Sequence, residues 1–270
     1  MARFAKGRWA ALALPLLLGC AENDQKLRVV SLTQTPQGFG SGCMIAGTGS
    51  VARGTLDLAG VDVFAGQVPV EYRVFAQVEN DFTVPGQGEL SALTPSPGVA
   101  THTVVITDVV TEVNYGVQAS AAGSLKSVAG LSGADLKFRT PVFTRLDSGT
   151  ASVAGVGVPE SAVRKLASVR STILPNPSDQ IVISARIRVF GKKDGNWDVE
   201  SSFVDLPIGL CNGCLFKHVG SCDQVTAADT TKTGSACSPI QDFPLRCCDE
   251  GTKLVCPAVK SMMGAAGSGG

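Results

Sequence analysis

The stretch IVISARIRVFGKKDGNWDVESSFVDLPIGLC, residues 181–211, decides the fold class of this chain. Apolar and polar residues alternate over 181–189, which is the period of a strand with one buried face. Asp194-Gly195 then predicts a hairpin turn, and a return strand follows over 197–208. The apolar phase of that strand shifts at Ser201-Ser202, where a β-bulge would realign its two faces. The stretch therefore predicts an antiparallel hairpin.

The same alternation recurs through much of the chain. In 68–78 only Phe75 breaks the polar face, and we favour burial of its ring under a loop over an exposed contact point. A segment rich in valine and threonine changes phase near Asp108, which indicates a bulge or two strands. Proline and glycine clusters separate the remaining strand candidates. Those candidates are 27–34, 54–64, 101–115, 136–142 and 150–158.

One helix is predicted after Pro159, because proline suits the first helical position and Glu160 suits the positive end of the helix dipole. Its apolar stripe is Ala162, Val163, Leu166 and Val169. Arg164, Lys165 and Arg170 lie off that stripe. We interpret this basic face as solvated rather than as an anion site.

Eight or nine short strands, frequent turns and one short helix predict a mainly β fold, an antiparallel β-sandwich of immunoglobulin-like type. We expect one sandwich over 27–208, then a disulfide-rich extension over 209–256 and a flexible tail over 257–270. Two small sandwiches divided near 145–160 are the alternative.

The first twenty residues have the pattern of an export signal. Arg3, Lys6 and Arg8 precede an apolar run, and Gly19 precedes Cys20. The end of this signal, LLGC at 17–20, resembles the lipobox of bacterial lipoproteins. The resemblance implies a signal peptide over 1–19, cleavage after Gly19, and lipid on the Cys20 sulfur and on the new amine. A plain signal peptide or a short buried helix is the alternative.

The residues after the lipobox bear on location. Residues 20–26 would form a short tether, and several acyl chains anchor a protein stably. Ala21 stands where an aspartate retains lipoproteins at the inner membrane of enteric bacteria. The resemblance therefore implies delivery to the bacterial outer membrane, with membrane contact through the Cys20 lipid.

Composition excludes several classes of function. The chain has 23 basic and 23 acidic residues and is 44% hydrophobic. This balance gives no field that attracts nucleic acid, and no apolar run reaches the roughly eighteen residues of a membrane span. No glycine-rich nucleotide loop appears, and the nearest nucleophile elbow, GLSGA at 130–134, ends in alanine. We therefore expect no cofactor and no catalysis.

Two further sets of polar residues carry no recognised motif. The acids Asp194, Asp198, Glu200 and Asp205 crowd one hairpin but lack the spacing of a calcium loop. A solvated hairpin explains them better. His102 and His218 have no serine or cysteine at a recognisable spacing.

Apart from Cys20, eight cysteines remain, an even number that predicts four disulfides in an exported chain. They are Cys43, Cys211, Cys214, Cys222, Cys237, Cys247, Cys248 and Cys256. Seven lie between 211 and 256, so at least one bridge must leave that cluster, and Cys43 is its only outside partner. Which cysteine it takes stays open. The neighbours Cys247 and Cys248 should bond to different cysteines, because a ring between adjacent residues strains the peptide.

The CNGC motif, Cys211 to Cys214, permits three interpretations. A redox pair would follow a strand and open a helix in a βαβ unit, but LFKH and Gly220 follow with no convincing helix. A zinc site would need a second ligand pair, and His218 stands alone. We therefore favour structural disulfides and expect no metal.

Four stretches together resemble a group of bacterial outer-membrane lipoproteins of unassigned function. They are GTLDL at 54–58, PVEYRVFAQVEN at 69–80, VESSFVDLPIGLCNGCL at 199–215, and Cys247-Cys248. The third stretch is the distinctive one. The resemblance implies secretion and anchorage and supplies no catalytic residue.

Two hypotheses of function follow. The first is a lipid-anchored structural or partner-binding module of the cell envelope, with an envelope protein or a glycan as partner. The second is an envelope thiol–disulfide oxidoreductase that uses Cys211 and Cys214. A carrier of a small ligand is a third idea, which depends on a cavity.

Overall fold

The computed structural model describes most of the chain after residue 26. The described residues are 27–33, 50–64, 68–80, 103–120, 123–147, 149–193, 197–222, 238–250 and 253–256. Several predictions fall outside them. These concern the signal peptide, Cys20, Cys43, Cys237, His102, the Asp194-Gly195 turn and the 257–270 tail.

The described residues are mainly β, as predicted. The strands are β1 (Leu27–Thr33), β2 (Gly54–Asp57), β3 (Tyr72–Asn80), β4 (Val104–Asn114), β5 (Gln118–Ser120), β6 (Gly123–Ser124), β7 (Lys137–Leu146), β8 (Gly149–Val158), β9 (Ile181–Lys193), β10 (Trp197–Glu200), β11 (Val204–Cys211), β12 (Phe216–Ser221), β13 (Leu245–Glu250) and β14 (Lys253–Val255). The helices are α1 (Gly60–Val63), α2 (Leu125–Val128), α3 (Glu160–Ser168) and α4 (Arg170–Ile173), with a 3-10 turn at Gly133–Asp135.

The largest sheet has the order β2-β11-β9-β4-β7, and β10 also pairs with β9. The predicted hairpin forms its centre, because β9 runs antiparallel to both β10 and β11. The predicted interruption at Ser201-Ser202 is confirmed. There the Ser201 N–H donates to the Val189 carbonyl at 2.9 Å, and the Ser201 hydroxyl accepts from the Val189 N–H at 3.0 Å.

A second sheet, β1-β3-β8, is antiparallel throughout. Side chains connect it to the large sheet. The Thr111 hydroxyl of β4 donates to the Val156 carbonyl of β8 at 2.7 Å, and the Thr140 hydroxyl of β7 accepts from the Val156 N–H at 3.1 Å. Strand β4 also shifts register between Ile106 and Asp108, so the predicted bulge near Asp108 is confirmed.

One cluster of buried residues fills the core. Alternate residues of β3, β4, β9 and β11 enter it, and so does the apolar stripe of α3. Its members include Val74, Val78, Val109, Val113, Ile187, Val189, Leu206, Ile208, Ala162, Val163 and Leu166. Phe75 lies outside this cluster yet is only 1% exposed, so the prediction of its burial is confirmed.

Three expectations differ from the structure. Residues 54–64 are a strand only to Asp57 and then form α1, whose four residues are too few to show a helical period. Within the described segments there are four α-helices rather than one, and fourteen strands rather than eight or nine. The β2–β11 and β12–β13 pairs are parallel, not antiparallel, because their strands come from distant parts of the chain and no hairpin joins them.

A short segment near the C-terminus, the 238–242 strap, fastens the edge strand β2 to β3. Its Ile240 carbonyl accepts from the Asp57 N–H at 2.9 Å, and its Asp242 N–H donates to the Thr55 carbonyl at 3.0 Å. The Gln241 side chain faces β3, where its oxygen accepts from the Arg73 N–H at 2.8 Å and its nitrogen donates to the Arg73 carbonyl at 2.6 Å. A side-chain amide thus takes the place of a backbone partner.

Replacing Gln241 with alanine should lower the free energy of unfolding by about 2–4 kcal/mol, because both backbone groups of Arg73 then lose their partner. Urea unfolding of the full chain measures this. Gln180→Ala is the matched control, since Gln180 is exposed and its side chain accepts from the exposed Arg53, and it should cost less than about 0.5 kcal/mol. Equal losses for the two variants would mean that the strap does not hold β3.

Candidate functional site

Three disulfides lie within the described residues. They join Cys211 to Cys214, Cys222 to Cys248, and Cys247 to Cys256. The adjacent cysteines 247 and 248 therefore have different partners. Two of these bridges staple the small sheet β12-β13-β14. Of the eight cysteines assigned to disulfides from the sequence, Cys43 and Cys237 are the two outside the described residues.

The CNGC loop follows the end of β11, with Cys211 fully buried and Cys214 exposed. Gly213 has a φ of 85°, a left-handed conformation that suits glycine. Asp57 of β2 stands beside Cys211 in the parallel register and is fully buried. Its carboxylate accepts the N–H groups of Gly213 and Leu215 at 2.7 Å each and that of Ala59 at 3.0 Å. The loop is therefore built around this one side chain.

Burial raises the pKa of Asp57, and the backbone N–H bonds and the Arg170 charge offset only part of that rise. A carboxylate oxygen of Asp57 and the sulfurs of Cys211 and Cys214 all lie within 4.8 Å of one another. Reduction of the disulfide would place a thiolate beside this carboxylate, and like charges at such a distance repel. The three atoms form a metal-ligand set only in the dithiol state, because metals bind the thiolate.

A second candidate site lies on the outer face of the large sheet. Residues opposite one another in the register share a face, and β4, β9 and β7 place Glu112, Arg186 and Lys137 in one row. Arg186 also stands opposite Asp205 of β11. This row thus alternates acid and base across four strands. The Lys137 nitrogen is 2.6 Å from Glu112, and the hydrogen bond from Lys137 lowers the pKa of Glu112.

The next row on this face contains Arg188, Val110 and Arg139, from β9, β4 and β7. Val110 is only 7% exposed although it lies on the outer face, which fits cover by the arginine on each side. The Arg188 guanidinium carbon is 3.9 Å from the centroid of the Phe203 ring, and that of Arg139 is 5.6 Å from the centroid of Phe190. These distances are those of cation–π contacts.

A groove of about 520 Å³ opens over these rows. Its lining combines three cationic side chains, one acid and three phenylalanines around Val110. They are Lys137, Arg139, Arg188, Glu112, Phe138, Phe190 and Phe203. Such a volume is within the range of small-molecule sites in proteins.

The sequence predicted one helix with Arg164, Lys165 and Arg170 off its apolar stripe; in the structure Arg170 begins α4, and all three side chains are paired with acids. Lys165 is 2.7 Å from Asp135, and Arg164 and Arg170 pair with Glu160 and Asp62. Burial raises the pKa of Asp135, but hydrogen bonds from Lys165, Ser161 and the Ser132 N–H outweigh it, and the net shift is downward. These pairs agree with our interpretation that this face is not an anion site.

The remaining predicted positions are dispersed. His218 lies 2.6 Å from Asp249, and both side chains are more than half exposed. Asp198, Glu200 and Asp205 each pair with a cation of β9, namely Lys192, Arg188 and Arg186. The hairpin acids are thus ion-pair partners as well as solvated groups.

Comparison of the chain with known proteins found no matching family model, no matching curated protein and no matching solved structure. Within the described part of the chain, no helix has the length and apolar character needed to cross a bilayer.

Sequence reasoning missed both Asp57 and the groove. Asp57 stands in an apolar stretch, LDL at 56–58, and a lone acid there was the available signal. For the groove, the signal was the pairing of Arg186 and Arg188 with the acids of the return strand. Neither signal specifies the cross-strand register that brings the groups together.

The unfolding free energies of the wild-type chain and of Asp57→Asn should converge as the pH rises from about 4 to 7. A carboxyl whose folded pKa is raised contributes most in acid, below its unfolded pKa, and loses this contribution as the pH passes its folded pKa. Urea unfolding across this pH range measures the difference.

Asp135→Asn is the control of opposite sign. Because the folded pKa of Asp135 is lowered, its contribution is present above the unfolded pKa and is lost as the pH falls. The difference from the wild-type chain should therefore grow with pH. If both variants follow the same trend, the assignment of the Asp57 shift to burial is wrong.

Proposed function

We propose that this chain is a lipid-anchored protein of the bacterial cell envelope that binds a partner through the groove of the large sheet and catalyses no reaction. The observation that carries the binding role is the groove itself, with Arg139, Arg188 and Phe190 on paired strands and Phe203 on the segment between β10 and β11. The lipobox at 17–20 supports anchorage at the outer membrane through Cys20. Three disulfides among the described cysteines fit an oxidising compartment.

The groove suits recognition because all but one of its lining residues stand on strands, the exception being Phe203 between β10 and β11. Arg188 and Phe190 stand on β9, where they alternate with Ile187 and Val189, which are fully buried in the core. Strands pair with β9 on both of its edges, and this pairing fixes the positions of the Cα atoms from which these side chains project. These side chains therefore lose little conformational entropy when a partner binds. An immunoglobulin-like arrangement of the two larger sheets belongs to the same proposal.

A thiol–disulfide oxidoreductase is the second candidate, and the CNGC geometry gives it one specific support. Cys214 is exposed, Cys211 is buried, and the Asp57 carboxyl near both sulfurs could accept a proton from a dithiol. Two features oppose it. The loop N–H groups of Gly213 and Leu215 already bond to Asp57, so they do not stabilise a thiolate. The carboxylate itself disfavours a nearby thiolate.

Anchorage is tested with two variants expressed as full chains in an enteric bacterium. The wild-type chain should carry acyl groups on Cys20, as intact mass shows, and fractionate with the outer membrane. Cys20→Ser should lose the acyl mass and leave the membrane fraction. Ala21→Asp should keep the acyl mass but stay at the inner membrane. An unmodified Cys20 in the wild-type chain would remove the membrane from the proposal.

The redox candidate is tested by alkylation of the native full chain and non-reducing peptide mapping. We expect no free thiol among the eight cysteines, a bridge from Cys43 to Cys237, and labelling of Cys211 and Cys214 only after unfolding, because Asp57 disfavours their thiolates. Label at Cys214 after mild reductant, with the Cys222–Cys248 bridge still closed, would favour the oxidoreductase. The Cys222–Cys248 bridge is the internal control.

A further inference from the structure

We propose that the groove binds a small amphipathic anion, a molecule that joins an apolar ring or chain to a carboxylate, phosphate or sulfonate group. This inference rests on the proposed function, because it names the ligand of the same groove. It differs from a protein or glycan partner in predicting that one small molecule fills the site.

The first step is the charge inside the groove. The rows around the groove are balanced in charge, since four cations stand beside four acids. The cations are Lys137, Arg139, Arg186 and Arg188, and the acids are Asp108, Glu112, Glu200 and Asp205. The groove itself is lined by three of the cations and only one of the acids. Its local field is therefore positive, which favours an anion over a neutral or cationic ligand.

The second step is the supply of hydrogen-bond donors. The Arg139 side chain is 61% exposed, and its nearest carboxylate oxygen, on Asp108, is 3.7 Å away, beyond hydrogen-bond distance. Arg188 donates to Glu200 from Nη1 at 2.9 Å, while its Nε is buried and has no partner among the described residues. Guanidinium groups bind carboxylate and phosphate with two parallel N–H bonds. Arg139 in particular has such donors available.

The third step is the placing of the two arginines. Arg139 and Arg188 flank Val110 in one register row of adjacent strands, so their backbones are roughly 10 Å apart. Arginine side chains can close that distance from both sides. Val110 then forms the floor of the groove, and one guanidinium group stands on each side of it. The proposal places the anionic head group between these two guanidinium groups, whose carbons both lie within 6.0 Å of the centroid of the Phe190 ring.

The fourth step is the apolar surface that accompanies the charge. Phe190 and Phe203 line the groove, and each ring has a guanidinium over it. A stacked guanidinium keeps its N–H groups in its own plane, where those that are not bonded to a carboxylate can bind an anion. The partly exposed rings of Phe190 and Phe203 supply contact for a ring or an acyl chain. Charge and apolar surface thus meet in one cavity of small-molecule size.

The test uses two probes with the same ring system. Anilinonaphthalene sulfonate carries an anionic group, and N-phenylnaphthylamine lacks it. Fluorescence titration of the native full chain should show about tenfold tighter binding of the sulfonate, and added salt should weaken only that probe. Equal affinity for the two probes would overturn the anion proposal.

Variants locate the site. Arg139→Gln should weaken sulfonate binding about tenfold and leave the neutral probe unchanged, since one guanidinium is lost. Arg145→Gln is the matched control, an arginine of the same strand with a similar exposure that pairs with Asp147 and does not line the groove. It should change neither affinity. Phe203→Ala should weaken both probes, and thermal unfolding of each variant confirms that it is folded.

The outcomes separate this inference from the proposed function. If Phe203→Ala weakens both probes while Arg139→Gln weakens neither, the groove is a binding site but its ligand is not an anion. If neither variant changes either affinity, the groove binds neither probe and the inference is wrong, whereas the proposed binding of a protein or glycan partner does not depend on that result. If Arg188→Gln, as a second groove variant, reproduces the effect of Arg139→Gln, the two-arginine site is supported.

Discussion

The buried carboxylate of Asp57 is the interaction on which the edge of the large sheet depends. Strand β2 has only four residues and pairs with β11 in parallel, an arrangement that no local turn supports. The carboxylate joins the turn after β2 to the CNGC loop after β11 through three N–H groups. Because Asp57 also donates its own N–H to Ile240, the same residue positions the C-terminal strap.

The strap explains why the C-terminal part of the chain is rich in cysteine. Residues 238–242 reach both β2 and β3 through specific hydrogen bonds, with Ser238 donating to the Glu71 carbonyl and Tyr72 donating to Asp242. Such bonds stabilise only when the segment is already held near its partners, because ordering a free chain costs entropy. The Cys222–Cys248 bridge closes a loop that contains the strap, and the Cys247–Cys256 bridge closes a shorter loop after it. Packing alone would stabilise the small sheet β12-β13-β14 less, since most of its residues are exposed or half-buried.

Local patterns in the sequence predicted most of the strands, but they did not predict which distant strands pair with one another. Strands β1, β8 and β9 and the break at Ser201 followed from periodicity, which the chain displays within ten residues or so. The parallel β2–β11 pair joins residues near 55 and 209, and no period records such a contact. For the same reason the acid at Asp57 was visible as a residue but not as the centre of a site. The groove depends on register across β7, β4 and β9, and a shift of one residue would turn every member to the core.

The groove and the core share their strands, and this links binding to folding. On β9 the side chains of Arg186, Arg188 and Phe190 face outward, and those between them fill the core. The register that buries Ile187 and Val189 is therefore the register that places Arg188 and Phe190 in the groove. An arginine held on a ring loses little freedom when it meets an anion, because its stem is already covered and its position is set by the sheet. Balanced charge in the rows around the groove keeps the unoccupied protein free of strong repulsion, while the excess of cations inside the groove remains for the ligand.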